Sequence, residues 1–462
     1  MTDHHEAGNV IAGLAALTEW TAALSWADVS PPAQERAALI LIDDFASMVA
    51  PREEPELIAY QERIARYSGK AEATVFNGGQ MKLDRCSSAL ANGGAADWSE
   101  LDGGYRPVIC HAGLYCIPAI LAEAESSKTA TVEDVLLALV CGYETVTRIA
   151  RAFRFPRVVL HPHAAFASVG AAAAIAKLRG FSAESTAQCL SAAVTLTQPG
   201  PYNHAIEGAL VRNVWAGLAA KAGIYSADWH DCGIWGRAQS LVDVYRDIYQ
   251  AAVNVAELDQ GLGVRFAVED GYHKLYACCQ YGHSCVEATI KARANLGSHF
   301  DHERVENLHV ETHPMGLTLD NEDPSTTLAA KFSLQHIVAA AVRFGNADAE
   351  AFSNSSLHDP EMTRLRRCIS INSFQPQLEW PHDRPGRVTI VMADGRRETA
   401  ECLSARGGPD RPLQPSEVVS KANAILAAPY PFAIERLQSF LTCNSATLKA
   451  TWADTVADIT RQ

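Results

Sequence analysis

Apolar residues recur at helical intervals through most of the first 260 positions. Glu35 to Val49 (ERAALILIDDFASMV) follows that spacing except at the pair Asp43–Asp44. Thr131-Val-Glu-Asp134 has the form of a capping box, and the spacing predicts a long helix from there to about Phe153. Ala164 to Leu178 is rich in Ala and Gly. Small side chains let helices approach closely, so this stretch is expected to be a central packing helix. Gly180 is the only strong breaker before a further helix from Ser182 to about Leu196, and another is expected from about Glu207 to Ser226.

The pattern changes after about Gly263. Asn307 to Thr312 (NLHVET) alternates apolar and polar residues as a half-buried strand does. Within Arg387 to Cys402, VTIVM and RRETAEC flank Asp394-Gly395, which signals a hairpin. Helical stretches are expected at 284–295 and 326–344. Helical spacing returns after Pro415, in SEVVSKANAILAA and a last helix near Phe432 to Leu441. The expected fold is mainly α. A large all-helical domain, discontinuous over 1–263 and 408–462, carries a smaller α+β lid domain at 264–407.

Composition narrows the function classes. The chain has 462 residues, 48% hydrophobic and 20% charged, which is enough to bury a large core and too long for one ordinary domain. The net charge of −14 weighs against nucleic acid and anionic membranes as partners. A local cluster of cations in a cleft still suits a small anion. The N-terminus carries acid and His where a signal peptide carries Lys or Arg, and no run of about 18 apolar residues occurs, so a cytoplasmic protein is expected. The 12 cysteines include no CxxC pair. Their tightest group, CCQYGHSC at 278–285 with His283 inside it, lacks usual zinc spacing, so reduced, mostly buried thiols are expected. No GxGxxG opening a βαβ unit and no P-loop occurs. No metal or other cofactor is expected.

Four segments concentrate ionisable groups beside turn residues. Asp97-Trp-Ser-Glu-Leu-Asp102, GGYRPVIC and His111-Ala-Gly113 put carboxylates and a His around a Gly/Pro loop that leads into an apolar helix. His161-Pro-His163 precedes the Ala-rich helix, where a His at the N-terminus is held neutral and serves as base or donor. Arg212 lies in the otherwise apolar GALVRNVWAG and suits a bidentate carboxylate. Lys274 stands nine residues before His283 in KLYACCQYGH, a cation and a base at one locus. Taken singly, each segment also fits a capping or packing role.

Together, in this order, the segments resemble the MmgE/PrpD family, which includes 2-methylcitrate dehydratase, cis-aconitate decarboxylase and iminodisuccinate epimerase. The matching stretches run from about residue 35 to 440: ANGGAADWSELD with HAG, LHPHAAFASVGAAAAIAKLRGFS, GALVRNVWAG, KLYACCQYGH and AAKFSLQHIVAAA. The resemblance implies an all-α domain with an α+β lid, a homodimer, and a site between the domains faced by Asp97, His111, His161, Arg212, Lys274 and His283. By position it adds Cys279, where some decarboxylases carry His, and His336, where Tyr is frequent. Several positions depart from the pattern. HAG replaces HPSG at His111, Ser99 replaces one acid, Glu100 stands for another, Arg212 stands for Lys, and Trp215 stands for His.

The implied chemistry is cofactor-independent proton transfer next to a carboxylate of a small di- or tricarboxylic acid. Arg212 and Lys274 would stabilise the carbanion. His161 is the first expectation for the base, with Lys274 second, and His111 or Asp97 would deliver a proton. A lyase, either dehydratase or decarboxylase, is the leading expectation. An epimerase or isomerase of a dicarboxylate and a non-catalytic organic-acid binder are the alternatives.

Overall fold

Two large hydrophobic cores organise the chain, whose computed structural model describes residues 2–461. The first is built by helices of residues 7–268 and closed by residues 422–459. At its centre lies Pro162–Leu178, buried from Pro162 to Ala176. It packs against Val132–Ala152, Ala112–Ser127 and Trp215–Asp231. The Ala-rich sequence explains the position, because a helix touched on every side must present small residues to each neighbour. Val132–Ala152 begins as its capping box requires: Asp134 N–H donates to Thr131 Oγ1 at 3.2 Å, and the Asp134 carboxylate accepts from Thr131 N–H at 2.8 Å. Where Arg85–Trp98 crosses Trp215–Asp231, a Cβ on Gly93 would lie 2.5 Å from the Gly217 Cα, so two glycines facing each other permit the approach.

The second core takes residues 277–402, with Leu101 and Ala205. Its four-stranded sheet runs in the order Arg397–Cys402, Gly386–Met392, Val305–Thr312, Ile369–Ser373; the first three neighbours are antiparallel and the last pair is parallel. Leu308 and Val310 pair with Ile390 and Val388 on the buried face. Gly395, at φ +83°, makes the turn of the hairpin. His283–Leu296 covers this sheet. Pro415–Leu426 then returns to pack on Pro31–Val49. The fold is mainly α, with a smaller mixed part.

Some elements differ from the expectation. The stretch 207–226 is broken: Gly208, at φ +77°, ends Asn203–Glu207, and a 3₁₀ turn at Leu210–Val214 precedes Trp215–Asp231. The stretch 326–344 splits into Thr327–Lys331 and Leu334–Phe344, because Ser333 caps the second helix by accepting from His336 N–H at 3.0 Å. Asp97 belongs to the last turn of helix Arg85–Trp98 rather than to a loop. Among the described residues, no helix is long and apolar enough to cross a membrane.

Candidate active site

Three buried carboxyls, Asp97, Glu100 and Asp102, lie at the end of Arg85–Trp98 and in the loop after it. Glu100 adopts φ +53°, a left-handed conformation that costs a non-glycine residue about 1 kcal/mol. From there its Oε1 lies 2.6 Å from Arg212 Nη1 and its Oε2 lies 2.8 Å from Lys274 Nζ. Arg212, on the 3₁₀ turn, also donates to Asp97 Oδ1 at 2.5 Å and lies over the Phe332 ring at 5.4 Å. Lys274 follows the short strand Gly271–Tyr272, which pairs with Gly104–Tyr105, and reaches Asp102 Oδ1 at 3.4 Å.

Two cations therefore sit among three carboxyls, and the carboxyls differ. Burial pushes Glu100 up, but Arg212 and Lys274 outweigh it and hold the carboxyl down at about 2. Burial also opposes ionisation of Asp102, yet the Lys274 and His111 charges and the His111 hydrogen bond keep it well below the ordinary carboxylate range. Asp97 goes the other way. Burial raises it, Arg212 opposes, and the neighbouring Glu100 and Asp102 charges tip it well above that range. Lys274 stays an ammonium: burial pulls it down, but Asp102 and Glu100 raise it above the ordinary lysine value.

The Asp43–Asp44 pair that interrupts the first apolar helix holds this loop from behind. Asp43 takes Lys421 Nζ at 2.7 Å and His273 Nδ1 at 2.8 Å, while Lys421 also donates to the Leu101 carbonyl at 2.9 Å. Asp44 Oδ1 accepts from Gly103 N–H at 2.9 Å. Both contacts fix the backbone that presents Asp102 and Lys274.

Three histidines complete the group. His111 caps Ala112–Ser127, and its Nδ1 lies 2.5 Å from Asp102 Oδ2. Because Asp102 is ionised, Nδ1 carries the proton, and Nε2 is the atom left for the cavity that His111 lines. His163 Nε2 meets Asp97 Oδ1 at 3.1 Å, and its Nδ1 meets Tyr115 Oη at 3.0 Å. His161 caps Pro162–Leu178. Its Nδ1 accepts from His163 N–H at 3.2 Å, and its Nε2 faces Arg212 Nε at 3.3 Å. Burial, followed by the His163, Arg212 and His111 charges, holds His161 well below the usual histidine value. A neutral imidazole accepts at only one nitrogen, so one of these two contacts is a close approach of donors and not a hydrogen bond.

These groups surround a cavity of about 40 Å³. Asp97 and Asp102 stand behind its wall, while Glu100, His111, His161, Arg212, Lys274 and Cys279 line it directly. The Cys279 thiol is pushed up to about 11 by burial and is therefore neutral at pH 7. Two expected residues do not join the group. His283 is buried with Nε2 3.3 Å from the Cys278 carbonyl and its ring against Tyr276; burial and the Lys274 charge lower it to about 3. His336 belongs to the second core, its Nε2 on the Ala351 carbonyl at 2.9 Å and its Nδ1 facing Arg366 Nη1 at 3.3 Å. The break before Ser333 puts Phe332 on the cavity wall instead.

The cavity also takes His163, and with it Tyr202, Tyr272, Tyr281 and Arg384, which the sequence did not point to. His163 was visible in the His-Pro-His spacing. Arg384, in EWPHDRPGR, carries no periodic signal at all. Among the described residues, no group of three or more His, Cys, Asp and Glu side chains is placed to hold a metal ion.

Comparison with known proteins identifies the family. The description of the MmgE/PrpD N-terminal domain matches residues 15–260, and that of the MmgE/PrpD C-terminal domain matches residues 276–440. The chain belongs to the MmgE/PrpD family. This MmgE/PrpD enzyme is similar to a cis-aconitate decarboxylase of Aspergillus terreus (strain NIH 2624 / FGSC A1156), with 25% identity over 457 residues covering 91% of both chains. A cis-aconitate decarboxylase-like protein oryM of Aspergillus oryzae is 24% identical over 459 residues, again with 91% of each chain covered. The first family description ends at 260 and the second begins at 276, which puts Tyr202 and Arg212 in one and Cys279, Tyr281, Phe332 and Arg384 in the other. Lys274 falls between them.

Proposed function

We propose that this enzyme is a cofactor-independent lyase, decarboxylase or dehydratase, that moves a proton next to a carboxylate of a small di- or tricarboxylic acid. The observation that carries this reading is the 2.5 Å bond from Asp102 to His111 Nδ1, which leaves Nε2 on a buried cavity beside Lys274 and Arg212. The base role passes from His161 to His111, because both His161 nitrogens face N–H donors. Lys274 is an ammonium held by two carboxylates, so it stabilises negative charge instead of accepting a proton.

In a decarboxylation the bond to one carboxylate breaks and CO₂ departs. The electron pair passes into the adjoining double bond, and His111, which must start the step as the imidazolium with a solvent-derived proton on Nε2, gives that proton to the carbon that receives the pair. In a dehydration the same nitrogen, starting unprotonated, removes a proton from carbon, the pair forms the new double bond, and the departing hydroxide takes that proton from His111 to leave as water. The relatives named for cis-aconitate favour decarboxylation and make cis-aconitate the first substrate to try. An epimerase needs two opposed bases, and among the described residues that line the cavity only His111 offers one with an open nitrogen. We also propose a helical domain of 1–263 with 408–462 and a lid of 264–407, whose first residues, Phe266 to Val268, pack into the helical core. The exposed apolar Val211, Leu218, Tyr225 and Trp235 support a homodimer.

Proton NMR in heavy water tests the reaction class. Cis-aconitate and a panel of di- and tricarboxylates are incubated with the enzyme. Loss of CO₂ or water supports the lyase; exchange without net consumption supports an epimerase; binding with neither supports a non-catalytic organic-acid binder.

A further inference from the structure

Charge balance inside the cavity leaves one cation unaccounted for. Arg212 is met by Asp97 at 2.5 Å and Glu100 at 2.6 Å, and Lys274 by Glu100 at 2.8 Å and Asp102 at 3.4 Å. Three carboxyls around two cations give an interior with no net attraction for an anionic acid. Arg384, from the second core, lines the same cavity under different conditions. Its guanidinium bonds the neutral amide of Gln280 and lies over the Tyr281 ring at 4.9 Å. The nearest carboxylate, Asp383, stands 3.9 Å from Arg384 Nε. That carboxylate is already held by Arg106, whose Nη2 and Nη1 reach its two oxygens at 2.5 and 3.3 Å. One carboxylate thus faces two guanidiniums, and it sits on the other one.

The segment bearing Arg384 is fixed. The Arg384 carbonyl accepts from Ser284 Oγ at 2.6 Å, and Arg106 also stacks on Trp380 at 4.6 Å, tying residues 380–384 to the loop that precedes His111. A guanidinium so placed, with an amide and an aromatic face for neighbours, keeps its charge available for a planar anion.

We infer that Arg384 is the specificity-determining cation of this site: it binds a second carboxylate of the substrate, across the cavity from the carboxylate at which His111 acts. The inference rests on the proposed reading of the site as one for a polycarboxylic acid. It assigns the inner cations to developing charge and the outer one to selecting acids with more than one carboxylate.

Binding of unreactive probes tests it. Glutarate and its monoamide differ by one charge at nearly constant shape. Titration calorimetry on the wild-type enzyme should show glutarate bound about tenfold or more tightly than the monoamide, the scale of one charge-assisted hydrogen bond. Arg384→Gln should bring the two within about threefold, and Arg384→Lys should keep part of the difference. Gln280→Glu supplies a carboxylate to Arg384 without removing it and should give the same loss, which guards against misfolding of the first variant. Discrimination that survives both Arg384→Gln and Gln280→Glu overturns the inference and leaves the lyase reading standing. A wild-type enzyme that binds neither glutarate nor tricarballylate overturns both.

Discussion

Replacing Gly217 with alanine should loosen the helical body and the site together. A methyl there would overlap the Leu90 carbonyl oxygen and lie 2.9 Å from Gly94 N and 3.1 Å from the Leu90 carbonyl carbon. These are backbone atoms, so no side chain can rotate to make room. Restoring ordinary contact distances requires Arg85–Trp98 and Trp215–Asp231 to part by about 1 Å. Overpacking of this kind costs about 1–3 kcal/mol, against which alanine's better helix propensity returns at most about 1 kcal/mol. Because nothing can repack, the upper part of the range applies, and a net loss of about 2 kcal/mol is expected.

The same displacement reaches the chemistry. Asp97 lies in the last turn of one helix, and Arg212 lies three residues before the start of the other, 2.5 Å apart at their closest atoms. Shifts of about 1 Å in site geometry lower turnover by up to about a hundredfold. Gly8, exposed on helix Thr2–Ala23 with nothing within 4 Å of the place its methyl would take, is the control. Gly8→Ala should stabilise by up to about 1 kcal/mol and leave turnover alone. Urea midpoints and CO₂ release from cis-aconitate report both effects. If Gly217→Ala is as stable as the wild type, the close helix crossing is not what the glycine serves and the reasoning fails.

Three further outcomes follow from the buried charges. His283, His313 and His336 are held near 3, 4 and 4, below the value of 6.5 they regain on unfolding, so the unfolded chain binds more protons between about pH 4 and 6.5. Stability should therefore fall as pH drops through that window, by up to roughly 3 kcal/mol per histidine, and Glu100 adds a further loss below about 4.5; a urea midpoint unchanged from pH 7.5 to 4.5 would contradict this. Lys274→Met leaves Glu100 and Asp102 short of a cation, and should cost about 3–5 kcal/mol of stability and at least about a hundredfold in turnover, with Lys274→Arg milder on both; unfolding and initial-rate measurements decide it. Cys279→Ala should change turnover less than tenfold, since its thiol is neutral; inactivation would replace this scheme with a thiol-based one.

Local signals in the chain were readable because their causes are local. The Thr131–Asp134 box, the Ala-rich Pro162–Leu178 and the Asp394-Gly395 hairpin each depend on residues within a few positions of one another. Arg85–Trp98 was hidden because Asn92-Gly93-Gly94 resembles a turn, and Gly93 is explained by Gly217, more than 120 positions away, while Gly94 faces Tyr60 and Val214. The sequence placed His161 at a helix start and had it neutral there, but not the approach of Arg212, 51 residues on, to its Nε2. Arg384 was out of reach for the same reason: its importance follows from Asp383 being taken by Arg106, 277 residues earlier.

The central claim is that His111, oriented by Asp102, carries the proton. The most direct measurement is the rate of deuterium entering carbon from heavy water with cis-aconitate, compared among wild type, His111→Asn and His161→Asn at equal substrate occupancy. His111→Asn should fall by at least about a hundredfold, the usual scale for losing an acid–base group, while His161→Asn keeps substantially more. A His111→Asn enzyme that still incorporates deuterium at close to the wild-type rate would contradict the account.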